Sequence, residues 1–179
     1  MEIRRCVVGP LETNCYIISS ERKGIIIDPG DEAQKIIKEI SDLEIIMILA
    51  THNHFDHITA LKPIKEYTRS KAGIHPEDWV EGFDIRLEDG QTIELGKERL
   101  RVIHTPGHTP GGCSFYTDKI LFSGDTLFKS GIGNTSFPGG DEEAIYKSIR
   151  ERLLALPEDT LVYPGHGPST TIGAEKAWF

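Results

Sequence analysis

The chain has 179 residues, 38% of them hydrophobic and 27% charged, with a formal net charge of -8. That balance belongs to a soluble globular protein with a real core, and residues 1–179 read as one domain. No apolar run approaches the ~20 residues that span a bilayer, no Lys/Arg cluster offers a nucleic-acid surface, and no signal core follows Met1-Glu2-Ile3-Arg4-Arg5, so a cytoplasmic location is expected.

Strand-like runs open the chain at Ile3–Val8, Asn14–Ser19 and Gly24–Asp28, with turns at Gly9-Pro10 and Glu21–Lys23. Asp31 is placed to cap a helix from Glu32 to about Ile40, with Ala33, Ile36, Ile37 and Ile40 on one face. Ile45–Ala50 is continuously apolar, which predicts a strand covered on both faces. It delivers the chain into Thr51–His57, and a short helix to about Tyr67 follows. Further strands read at Lys71–Ile74, Asp84–Leu87, Thr92–Leu95 and Arg99–His104. Gly112–Tyr116 and Lys119–Ser123 form a hairpin turning at Thr117-Asp118. Asp141 caps an amphipathic helix to about Leu156 that buries Ile145, Ile149, Leu153 and Leu156. A last strand, Thr160–Tyr163, precedes a helix from about Gly173. Strands outnumber helices, and two sheets packed face to face with helices outside would bury these runs. Cys6, Cys15 and Cys113 are odd in number, widely spaced and set in apolar stretches, so they read as buried free thiols.

Four segments carry chemistry. Thr51-His52-Asn53-His54-Phe55-Asp56-His57 packs four metal-capable side chains into six residues directly after a buried strand. On extended backbone, His52 and His54 point the same way and can converge on one ion, while Asp56 and His57 can face a second as the chain turns. His108 is held in a Pro/Gly loop, Thr105-Pro106-Gly107-His108-Thr109-Pro110-Gly111-Gly112. Asp125 follows an apolar strand in Phe122-Ser123-Gly124-Asp125, and His166 sits in Tyr163-Pro164-Gly165-His166-Gly167-Pro168. Five His and two Asp, each at a strand end, suit a borderline ion such as zinc better than calcium.

These four motifs, in this order, resemble the metallo-β-lactamase superfamily, most closely its glyoxalase II-like group. The resemblance runs along nearly the whole chain. It implies a four-layer αβ/βα sandwich, an α/β fold with metals at one edge between the sheets. It implies that His52, His54 and His108 bind one divalent ion, that Asp56, His57 and His166 bind a second, and that Asp125 bridges both. The pair is expected to be zinc, with iron or manganese as alternatives, and to activate a bridging hydroxide whose proton Asp56 can accept. Asp56 and Asp125 are thus the candidate catalytic residues, and a small acyl thioester is the expected substrate, as in glyoxalase II. Asp28 in Ile27-Asp28-Pro29-Gly30 matches a further family motif and reads as a carboxylate supporting the ligand loop.

The departures narrow the reading. Asp125 stands where β-lactamases of known class carry Cys or Ser, so β-lactam hydrolysis is not expected. Asn134, Ser136 and Pro168 replace the family's glutathione-binding Lys and two Tyr, and the basic C-terminal helices of glyoxalase II have no counterpart before Phe179. The competing reading is a mononuclear iron oxygenase like the superfamily's persulfide dioxygenases, with His52, His108 and Asp125 as facial triad. That group's Gly-Arg-Thr-Asp segment reads Gly133-Asn134-Thr135-Ser136 here. His75 and His104 match no motif and are assigned structural or surface roles.

Overall fold

Eight consecutive residues, Thr13–Ser20, are buried without interruption. A strand with no exposed residue needs apolar cover on both faces, and here each face meets a different core. Cys15 and Ile17 pack under helices, while Tyr16 and Ile18 face a second sheet. The computed structural model, which describes residues 1–179, is built from two six-stranded sheets stacked in this way.

The first sheet takes its strands in chain order: β1 (Glu2–Val8), β2 (Thr13–Ser20), β3 (Lys23–Ile27), β4 (Glu44–Leu49), β5 (Lys71–Ile74) and β6 (Ile85–Arg86). β1 to β3 are antiparallel, and β3 to β6 are parallel. Their crossovers carry α1 (Ala33–Glu39), α2 (Phe55–Ile58) and α3 (Leu61–Thr68). In the second sheet, β7 (Thr92–Leu95), β8 (Glu98–His104), β9 (Cys113–Thr117) and β10 (Ile120–Gly124) form an antiparallel meander. A small hairpin, β11 (Leu127–Phe128) and β12 (Gly131–Ile132), leads to α4 (Glu142–Lys147). The sheet is completed by β13 (Leu161–Pro164), parallel to β10, and β14 (Thr170–Thr171), before the closing α5 (Ile172–Glu175).

Three cores follow from this layering. Ile36, Ile40, Leu61 and Ile64 cover the outer face of the first sheet. Ile25, Ile27, Leu49, Leu100, Val102, Phe115 and Phe122 fill the space between the sheets. Ile145, Ile149, Leu153 and Ile172 cover the second sheet. The order is helix, sheet, sheet, helix, the layering expected from the sequence. Cys6, Cys15 and Cys113 are free and buried, also as expected.

Local details differ from the sequence reading. Asp31 does not cap α1: Glu32 precedes the helix in a left-handed conformation (φ 47°), with no side-chain cap. The Asp31 carboxylate accepts the Glu32 N–H at 2.6 Å, one residue too early to serve the helix's first free amides. The hairpin turns at Asp118-Lys119, both with positive φ, rather than at Thr117-Asp118. Asp141 does cap α4, accepting the Ala144 N–H at 2.9 Å. The helix then widens into a π-helical segment, Ser148–Leu153, where the Ser148 hydroxyl donates to the Pro106 carbonyl at 2.8 Å. The two-residue strands β11, β12 and β14 are too short to leave a periodic signal.

We predict that Phe115→Ala, at the centre of the inter-sheet core, lowers unfolding free energy by about 3–5 kcal/mol, and that Asp141→Ala lowers it by about 1 kcal/mol. Urea denaturation of both variants measures the order; an Asp141 effect as large as that of Phe115 would contradict this layering.

Candidate metal centre

Four strand ends meet at one edge of the sandwich. Thr51 and His52 follow β4, the His108 loop follows β8, Asp125 follows β10, and His166 follows β13. The loops are tied together by backbone. Cys113 N–H donates to the Thr51 carbonyl (2.8 Å), Asn14 N–H to Gly165 O (2.7 Å), and Gly165 N–H to Gly124 O (2.8 Å). The Asn14 side chain and the Tyr16 hydroxyl both donate to the Pro164 carbonyl, at 2.9 and 2.7 Å. Gly165 has to be glycine, because a Cβ there would overlap Asp125 Oδ1 and crowd the His57 ring.

All seven residues singled out in the sequence are brought together here. Their donor atoms fall into overlapping clusters within 4.8 Å: His52, His54 and His108; Asp56, His57 and His166; and a set joining His52 and His57 to Asp125. His54 Nδ1 lies 2.9 Å from His108 Nε2, and His57 Nε2 lies 3.3 Å from His166 Nε2. Asp125 reaches into both clusters, with Oδ1 3.4 Å from His57 Nε2 and Oδ2 3.5 Å from the Nε2 atoms of His108 and His166.

The outer partners of the rings decide which nitrogen faces inward. His57 Nδ1 donates to Asp28 Oδ2 (2.9 Å), His108 Nδ1 to the Asn134 carbonyl (2.7 Å), and His166 Nδ1 to the Leu11 carbonyl (3.0 Å). His52 Nδ1 donates to Thr51 Oγ1 (3.0 Å), whose own proton goes to Asp28 Oδ2 (2.8 Å). These bonds place the lone pairs of four Nε2 atoms inside the site. Buried and without any partner are His52 Nε2 and Asp125 Oδ1. Facing lone pairs and orphaned buried acceptors are costly unless a cation lies between them, so the donor set fits metal ions.

The electrostatics point the same way. Burial works against a charged His57, yet the carboxylates of Asp125, Asp28 and Asp56 outweigh it and raise the imidazole to about 9. Burial would also raise Asp56, but the neighbouring His166 imidazole, the charge of His57 and the hydrogen bond from Thr13 hold it well below the usual carboxylate range. Burial lowers His52 and His54. One end of the site demands positive charge, and the other is kept as neutral imidazole.

Sequence reasoning missed Asp78. This carboxylate is buried in the 3₁₀ turn Pro76–Asp78. It accepts the Asn53 N–H (3.2 Å), the Thr109 hydroxyl (2.6 Å) and the Gly111 N–H (2.8 Å). It thereby locks the His52–His54 segment to the His108 loop. A Pro-Glu-Asp turn reads as solvated from sequence, so no signal pointed to it. Thr13, which donates to Asp56 Oδ2 at 2.8 Å, was likewise invisible. His75 and His104 lie outside the cluster, with their rings stacked 4.0 Å apart at 10°. With the exposed Glu77 their donor atoms lie within 4.8 Å of one another, and His104 Nε2 is engaged by the Pro110 carbonyl at 2.9 Å.

The model of the Metallo-beta-lactamase superfamily matches residues 8–166. The chain is 36% identical to the probable metallo-hydrolase YqgX of Bacillus subtilis, and 36% identical to the hydroxyacylglutathione hydrolase GloC of Haemophilus influenzae. Each alignment covers 98% of this chain and 95% of the relative. Among solved structures, ETHE1 from Myxococcus xanthus superposes with a TM-score of 0.92 at 30% identity, covering 98% of this chain and 82% of that one. BLEG-1 B3 metallo-beta-lactamase gives 0.91 at 34%, covering 98% and 97%. TTHA1623 in a di-iron-bound form gives 0.86 at 35%, covering 97% and 96%.

Replacing Asp78 by Ala orphans three donors at once, each worth ~1–3 kcal/mol when left buried. We therefore expect Asp78→Ala to lower unfolding free energy by at least about 3 kcal/mol. A loss under about 1 kcal/mol by urea denaturation would show that Asp78 does not tie the loops.

Proposed function

The chain belongs to the metallo-β-lactamase superfamily, and from that premise we propose that it is a binuclear metal-dependent hydrolase that cleaves small acyl thioesters in the cytoplasm, after the manner of glyoxalase II. One observation carries the binuclear reading: the Asp125 carboxylate sits between the two nitrogen clusters, with Oδ2 3.5 Å from His108 Nε2 of one and His166 Nε2 of the other, while buried Oδ1, 3.4 Å from His57 Nε2, has no hydrogen-bond partner. His52, His54 and His108 would hold one ion, Asp56, His57 and His166 the other, and Asp125 would span them. The di-iron-bound neighbour supports a site for two ions; zinc suits the imidazole and carboxylate donors, with iron or manganese also accommodated.

When bound, two divalent ions supply Lewis acidity and bring the pKa of a water toward ~7. The chain's own residues do the rest. Asp56 borders both His57 and His166, at 3.4 and 3.3 Å, and is the carboxylate placed to take a proton from a nucleophilic water. Thr13 fixes its orientation. The outer hydrogen bonds on Nδ1 keep His52, His57, His108 and His166 in one tautomer throughout a cycle. Apart from the converging His and Asp residues, the cleft is lined by Leu11, Phe55, Phe137 and Pro138, which offer no side-chain acid to protonate a leaving group. A thiolate needs none, since a free thiol has a pKa of ~8.5, whereas an amine does. The chemistry of the cleft therefore favours thioesters, in keeping with the relative described as a hydroxyacylglutathione hydrolase.

Glutathione itself is not expected to be read strongly. The Asn134 side chain is turned to its own loop, accepting the Ser136 N–H at 2.9 Å. Its contribution to the site is the backbone carbonyl that holds His108.

The alternative reading, a mononuclear iron oxygenase, would use His52, His108 and Asp125 of the same cluster as its facial triad. Metal analysis separates the two: the hydrolase reading expects two ions per chain, the oxygenase one iron. On the hydrolase reading, Asp125→Ala lowers the content of both ions and abolishes turnover, while His104→Ala leaves metal content unchanged. Plasma emission measurement of purified variants tests this, and the assignment fails if His104→Ala strips metal while Asp125→Ala does not. For substrate, the preference for lactoylglutathione over a small neutral-thiol acyl thioester should stay below about a hundredfold in kcat/KM, or ~2.7 kcal/mol. A larger preference would mean that other residues rebuild a glutathione pocket.

A further inference from the structure

Eight large hydrophobic side chains of this protein are exposed, and three of them, Leu11, Phe55 and Phe137, surround a single cleft. That cleft, of about 400 Å³, lies directly over the converging histidines and carboxylates. Phe55 and Phe137 are 67% and 48% exposed, and Leu11 is 51% exposed. Scattered apolar residues on a surface are ordinary, but a cluster at the rim of a polar site marks a place where something apolar binds.

The geometry gives each wall a side. The Phe137 ring stands edge-to-face 5.4 Å from the His54 ring and 6.1 Å from the His108 ring. Phe55 follows His54 at the start of α2. Phe137 thus flanks the first cluster, and Phe55 and Pro138 line the same cleft. Leu11 stands at the second cluster, where its carbonyl orients His166. The cleft is lined by no Lys or Arg, so positive charge would come only from ions held among the histidines and carboxylates at its floor. A charged arm finds no side-chain counter-charge at the rim, while an apolar one finds two phenyl faces and a leucine.

We propose that this mouth is an acyl-binding subsite, in which Phe55 and Phe137 take up an uncharged apolar acyl group of several carbons and Leu11 forms the opposing wall. The inference rests on the thioester reading above and gives it a substrate class: aliphatic or aromatic acyl thioesters, in preference to short hydroxylated or carboxylated ones. Phe55, Phe137 and Leu11 are specificity residues in this account and take no part in bond breaking.

The test uses zinc-loaded protein and a series of acetyl, butanoyl, hexanoyl, benzoyl and succinyl thioesters of one neutral thiol. Full burial of a methylene is worth about fourfold in kcat/KM, so partial burial should raise hexanoyl over acetyl by at least about tenfold, with succinyl disfavoured against butanoyl by a similar factor. Phe137→Ser and Phe55→Ser should bring the hexanoyl-to-acetyl ratio toward one at unchanged metal content. Trp178→Ser, a comparably exposed residue away from the cleft, should leave the ratio as it is. Calorimetry of hexanoate against acetate binding gives a readout that needs no turnover. If no thioester is cleaved but hexanoate binds at least tenfold tighter and Phe137→Ser removes the difference, the subsite stands and the thioester reading falls. If thioesters are cleaved without a chain-length slope, if the slope survives both Phe variants, or if neither cleavage nor differential binding is seen, the subsite is overturned.

Discussion

One buried carboxylate sets the geometry on which the site depends. Asp28 leaves β3 in a left-handed conformation (φ 53°) and accepts three protons: the Thr51 amide at 2.7 Å, the Thr51 hydroxyl at 2.8 Å and His57 Nδ1 at 2.9 Å. Through Thr51 it also fixes His52. A single side chain thereby chooses the tautomer of one histidine in each cluster and joins the ends of β3 and β4 to α2. A buried charge is tolerable only when its hydrogen-bonding capacity is used, and here that requirement is met by the residues that have to be oriented. The packing of the first sheet and the chemistry of its edge are one constraint.

This explains what could be read in the sequence and what could not. The seven converging residues were legible because local spacing puts them at strand ends, and strand ends are where a sandwich opens. The layering was legible from runs such as Ile45–Ala50, which need cover on both faces. The supporting shell was harder. Leu11 and Asn134 act through backbone carbonyls, which every residue possesses, so their roles leave no trace in residue type. Asp78 sits in a polar turn whose burial is created by a loop 31 to 33 residues further on. The Asp31 cap failed for a local reason: a left-handed Glu32 moved the helix start by one residue.

The floor and the mouth of the site are built differently. The floor is held by backbone ties between the two sheets and by buried carboxylates, so it tolerates little change. The mouth is made of side chains from three separate segments, at Leu11, Phe55 and Phe137, each of which can vary without disturbing a hydrogen bond of the floor. Such a division lets one fold keep its reactive centre while exchanging what it recognises.

The three cysteines have a bearing on durability. Each turnover of the proposed reaction sets free a thiol, and where such thiols have been oxidised to disulfides an accessible protein thiolate can attack them, displacing one thiol and forming a mixed disulfide. Cys6, Cys15 and Cys113 are all buried, and burial pushes each thiol upward, away from the reactive thiolate form. On the thioester reading, none of the three sulfurs is presented to such a disulfide as an exposed thiolate.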